Sequence, residues 1–115
     1  MAEVTIYHNP RCSKSRQTLA LLEERGISPT TVFYLDTPPD AEDLKRIVAA
    51  LNIGVRDLMR TKESVYADLG LAQESDEDKL ISAMIANPIL IERPIVLHNG
   101  KAAVGRPPAN VLEIL

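Results

Sequence analysis

The apolar positions of this 115-residue chain change period several times, and each change marks an element. Val4, Ile6 and His8 alternate with Thr5 and Tyr7, which predicts a short strand stopped by Asn9 and Pro10. Leu19 and Leu22, with the neighbouring Thr18 and Leu21, form one face of a helix over roughly Ser13 to Arg25, and Gly26 stands where a C-terminal glycine cap belongs. Thr30 to Leu35 is β-branched and aromatic and reads as a second strand. Thr37, Pro38, Asp40 and Asp43 then announce a helix whose apolar set is Leu44, Ile47, Val48 and Leu51. Shorter helical pieces are expected between Val55 and Leu71. Ser75 and the acidic run after it open another helix, with Leu80, Ile81, Met84 and Ile85 as its stripe and Asn87-Pro88 as its end. Asn99-Gly100 between two short apolar runs predicts a type I′ hairpin, and Pro108 to Leu115 a last short helix.

The order is strand, helix, strand, helices, strand, strand, helix. The first two strands, joined by a helix, should be parallel with a right-handed crossover, and the last two antiparallel. The expected fold is α/β: a small mixed four-stranded sheet with flanking helices and a helical insertion in mid-chain. Length predicts one domain over residues 1–115, able to bury a core without staples. No repeat, low-complexity run or linker interrupts it.

Composition narrows the function. A net charge of −3 and 3% aromatics argue against nucleic-acid binding. No apolar run approaches a membrane span, and the opening MAEVTIYH lacks the pattern of a signal peptide. A single cysteine cannot close an internal disulfide, which fits a reducing, cytoplasmic compartment.

That cysteine, Cys12, falls between the first strand and the first helix, among His8, Arg11, Lys14 and Arg16. Free backbone amides and the helix dipole at that place stabilise a thiolate, lowering its pKa from about 8.5 to roughly 3.5–7.5. The alternative is a small buried hydrophobe, which the polar and basic neighbours suit poorly. The same amides favour an anion, so the thiolate could attack a bound oxyanion if arginines neutralise it. Arg60, Arg93 and Arg106 are the candidates, each following an apolar stretch. Ser15 removes any C-x-x-C and Thr18 any C-x5-R loop, and no P-loop or G-x-G-x-x-G is present. Two histidines and one cysteine make no convincing metal site, and His98 reads as a strand-end surface residue. Tyr7, Tyr34 and Tyr66 read as packing residues.

The segments IYHNPRCSKSR, YLDTPP, VRDLMRTKE, LGLA, NPILIERPIV and GRPP, in that order, resemble the glutaredoxin-coupled arsenate reductase family, of thioredoxin-like fold. The resemblance implies that Cys12 is the nucleophile forming a thiol–arsenate adduct and that His8 helps keep the thiol ionised. It implies that Arg60, Arg93 and Arg106 hold the oxyanion and that Pro94 is the cis proline of the fold. It also implies glutathione as co-substrate, no bound cofactor, and glutaredoxin as a transient partner that clears the mixed disulfide. The missing second thiol at Ser15 agrees with an external reductant. Arg11 stands where the best-known members have a small residue, and Ser13 where they have glycine. Two rivals accompany this reading: a glutathione-dependent thiol oxidoreductase acting on another substrate, and a redox-sensing regulator that binds RNA polymerase. The regulators carry C-x-x-C, against which Ser15 argues.

Overall fold

The computed structural model describes residues 4–115. Two compact units emerge: one runs to Thr37 and resumes from Arg93 to Leu115, and the other is Pro38–Glu92.

The first unit holds the sheet. Strand β1 (Val4–Tyr7), helix α1 (Ser13–Glu24), β2 (Thr30–Val32), β3 (Ile95–His98) and β4 (Lys101–Val104) are followed by a 3-10 helix, Pro108–Ile114. The strand order is β2-β1-β3-β4. β1 and β2 pair in parallel, Thr5 opposite Thr30 and Tyr7 opposite Val32. β3 runs antiparallel to both β1 and β4, with Val96 opposite Ile6 on one side and Ala103 on the other. The hairpin expected at Asn99-Gly100 is present. Both residues have positive φ, 53° and 78°, which matches the twist of the flanking strands and suits asparagine and glycine. The core of this unit is Val4, Ile6, Leu22, Val96 and Val111, with Leu19, Leu21, Ile27, Ala103 and Ile114 packed on it. α1 and the final 3-10 helix thus supply apolar side chains to the core that the strands build.

One expectation shifts. β2 ends at Val32 rather than Leu35, because the chain turns there: the Asp36 and Thr37 amides both donate to the Phe33 carbonyl. Tyr34 is fully buried while Phe33 and Leu35 are exposed, so the alternation continues through a turn. The last short helix lies where expected, at Pro108–Ile114, and is 3-10.

The second unit is helical. α2 (Ala41–Leu51), α3 (Ser64–Asp68) and α4 (Glu77–Ala86) are linked by 3-10 turns at Val55–Leu58, Leu71–Gln73 and Pro88–Leu90. Leu44, Ile47, Val55, Leu58, Leu80, Ile81, Met84 and Leu90 are buried. Arg56 fastens the middle: its guanidinium donates to the Tyr66 hydroxyl and to the Leu71 and Glu74 carbonyls. A single bridge, Met59 opposite Ile91, joins the segments on either side of α3 and α4.

Candidate active site

β1, an inner strand, ends by delivering His8 and Asn9, both buried, to the end of the sheet, where the His8 amide donates to the Val32 carbonyl at 2.9 Å. The chain then turns tightly. The Asn9 side-chain oxygen accepts from the Arg11 amide at 3.0 Å, and the Asn9 carbonyl accepts from the Cys12 amide at 3.0 Å. This Asx turn, of the kind asparagine favours, sets Cys12 as the N-cap residue of α1. Cys12 has extended backbone and is partly exposed.

The cap is unusual. Cys12 makes no closed side-chain cap bond, and the first turn of α1 carries no acidic residue. The first-turn amides are instead left to act on the sulfur. Burial pushes the Cys12 thiol up, but the Ser15 amide, the hydrogen bond and charge of Arg93, and the Lys14 amide outweigh it, leaving the pKa below its ordinary 9.0. A second guanidinium reaches the same atom, with Arg106 Nη2 3.6 Å from Cys12 Sγ. Arg106 also donates through Nε to the Arg93 carbonyl at 2.7 Å, so the two arginines are tied to each other as well as to the sulfur. Both precede prolines, and both the Arg93–Pro94 and the Arg106–Pro107 peptides are cis.

The helix amides act on the thiol as expected, and only the help expected from the neighbouring cations is corrected. Arg11, Lys14 and Arg16 have exposed side chains; two helix amides and the distant Arg93 lower the thiol, and the Arg106 cation at 3.6 Å favours the same thiolate by its charge. Arg16 spends its guanidinium on the Pro10 carbonyl at 2.8 Å. His8 is no cation either. Burial first, and the charge of Arg16 second, hold its pKa below 6.5, so the imidazole is neutral at pH 7.

Ser15 is the residue that sequence reasoning undervalued. It marked an absent thiol there, whereas the side chain is fully buried, its Oγ 2.6 Å from His8 Nδ1 and accepting from the Asn9 amide at 3.0 Å. Its hydroxyl ties the turn to the strand while its amide faces the sulfur. A small polar residue three positions after a capping cysteine was the available signal.

Arg60 belongs to the other unit. Its amide donates to the Leu90 carbonyl at 2.6 Å, and its guanidinium pairs with Glu63 at 3.2 Å and Glu92 at 3.4 Å. His98, read as a surface residue, is partly buried with Nδ1 2.6 Å from the Ile114 carbonyl. Among the described residues no cluster of three histidine, cysteine or acidic side chains could hold a metal ion, and no helix is long and apolar enough to cross a membrane.

Residues 7–114, which span the turn, both arginine–proline pairs and the whole helical unit, match the model of the ArsC family. The chain belongs to the ArsC family. Among its relatives, the "Uncharacterized protein YfgD" of Escherichia coli K12 is 56% identical over 115 residues, covering 98% of this chain and 97% of that one. The "Arsenate reductase" of Neisseria meningitidis serogroup A is 54% identical over 117 residues, covering both chains completely. A solved structure, "Arsenate reductase from Vibrio cholerae", superposes with a TM-score of 0.95 at 54% identity, over 98% of each chain. The ArsC-family fold seen here, a four-stranded mixed sheet with flanking helices, is thioredoxin-like.

Proposed function

We propose that this ArsC-family chain reduces arsenate to arsenite through Cys12, with glutathione and glutaredoxin as the reducing partners. The observation that carries the reading is the Cys12 sulfur at the open start of α1, with Arg93 and Arg106 on it. The same groups that favour a thiolate favour the oxyanion it attacks.

In the first step the Cys12 thiolate displaces a hydroxyl of arsenate, which leaves as water after protonation, and an S–As(V) bond forms. The guanidiniums of Arg93 and Arg106 offset the charge of the incoming oxyanion. In the second step a glutathione thiolate attacks the Cys12 sulfur. An S–S bond forms, the electron pair of the S–As bond stays with arsenic, and arsenite leaves as As(III). Glutaredoxin then removes glutathione from Cys12 by thiol–disulfide exchange, and a second glutathione restores glutaredoxin. The chain has no other cysteine, so the reducing thiols come from outside. His8 is a neutral side chain in this scheme, and holds the turn through Ser15.

The test is arsenate-dependent NADPH oxidation in a mixture of glutathione, glutaredoxin and glutathione reductase. The intact chain should show turnover that Cys12→Ser abolishes. A rate no higher than that of Cys12→Ser would remove arsenate as the substrate. Glutathione–disulfide exchange without arsenate would then favour the thiol oxidoreductase acting elsewhere.

A further inference from the structure

We infer that Gly105 is a positioning residue, which by lacking a side chain lets the segment after β4 seat against Thr18 and Pro94 and so holds the Arg106 guanidinium on the Cys12 sulfur. The inference rests on Cys12 as the reacting thiolate, and on no particular oxyanion.

Gly105 is buried, and its amide donates to the Pro94 carbonyl at 2.9 Å. A Cβ added there would lie 2.4 Å from Thr18 Oγ1, 2.7 Å from Pro94 Cγ and 3.2 Å from Thr18 Cγ2. The first two distances are far inside van der Waals contact, so something must move. Thr18 gives little room. It is fully buried, and its hydroxyl donates to the Lys14 carbonyl at 2.8 Å, so swinging it aside breaks a hydrogen bond within α1. Pro94 is buried and begins the approach to β3. What can yield is the segment itself, and the next residue along it is Arg106. The turn is tight, with the Arg106 amide donating back to the Val104 carbonyl at 2.9 Å. Displacing Gly105 therefore draws Arg106 away from both of its contacts, the sulfur at 3.6 Å and the Arg93 carbonyl at 2.7 Å. Thr18 lies on the helix that Cys12 begins, so the seat sets the position of Arg106 against the element that carries the thiolate.

The test is a double-mutant cycle read on the thiolate, with no substrate present. Cys12 ionisation is followed by thiolate absorbance against pH and by iodoacetamide alkylation at fixed pH, in the intact chain, Gly105→Ala, Arg106→Ala and the double variant. Gly105→Ala should raise the midpoint by about one unit, with alkylation below the midpoint slowed about tenfold. Arg106→Ala should do the same. The double variant should be no worse than Arg106→Ala alone, because the glycine acts through the arginine. An unchanged midpoint in Gly105→Ala, or effects that add in the double variant, would overturn the inference. Should circular dichroism find Gly105→Ala unfolded, the Thr18→Ala/Gly105→Ala chain takes its place in the cycle: it is relieved of the Thr18 clash, but Pro94 Cγ at 2.7 Å still forces the segment to move. A raised midpoint that does not add to Arg106→Ala then supports the inference, and an unchanged midpoint or additive effects overturn it.

Discussion

Two helices of this chain begin in opposite ways. α2 starts from Asp40, whose carboxylate accepts from the Asp43 amide at 2.8 Å, while Asp43 reaches back to the Asp40 amide, and Glu42 and Asp43 put negative charge in its first turn. α1 starts from Cys12, closes no cap bond and has no acid in its first turn. The first arrangement satisfies the orphan amides and complements the dipole, which is worth about 1 kcal/mol. The second leaves the Lys14 and Ser15 amides for a sulfur anion. An imperfect cap is here the functional feature of a helix.

The comparison can be broken most completely at Cys12 itself. Cys12→Asp makes the start of α1 resemble that of α2. It should eliminate turnover in the coupled assay, yet raise the thermal midpoint by a few degrees, because an aspartate cap contributes roughly 0.5–2 kcal/mol. A folded chain with a lower midpoint would show that the cap is not what α1 lacks. Arg93→Ala comes next. With the guanidinium gone, the Cys12 midpoint should climb back towards 9.0, and iodoacetamide alkylation at pH 6 should slow about tenfold for each unit of that climb. Alkylation at the original rate would mean that the amides alone hold the thiolate. Asp40→Ala should cost about 1 kcal/mol in urea unfolding and leave the Cys12 midpoint where it was.

The smallest effect is in the pH dependence of folding. The Cys12 pKa is lower in the folded chain than in the unfolded one, so its contribution is fully present above pH 9.0 and is lost as pH falls through the folded value. The stability gap between the intact chain and Cys12→Ser should therefore widen in favour of the intact chain as pH rises from 6 to 10. A gap independent of pH would contradict the lowered pKa.

Features set by local rules were legible in the sequence. Asp40 and Asp43 announced α2, and Asn99-Gly100 announced the β3–β4 hairpin, because capping and turn preferences act over a few residues. The strand-to-helix placement of Cys12 was readable for the same reason. What sequence reading missed depends on contacts across the fold. The cations next to Cys12 in the sequence are expected to assist the helix amides, and Arg93 is expected on the oxyanion alone, yet Arg93 acts on the sulfur itself from 81 positions away by numbering (93 less 12). Arg106 joins it across a separation of 94. His8 looked like a charge, and only burial against the sheet reveals it as neutral. Ser15 looked like an omission until its bond to His8 was seen. β2 was overextended because Tyr34 and Leu35 keep strand-like composition through a turn.

Titration of the thiolate absorbance reads out whether helix amides and arginine hold Cys12 ionised. The chain has no other cysteine, so the signal has one source once the absorbance of the tyrosines is subtracted using Cys12→Ser. The midpoint should lie below the ordinary 9.0 and rise in Arg93→Ala. A midpoint at 9.0 or above in the intact chain would contradict this.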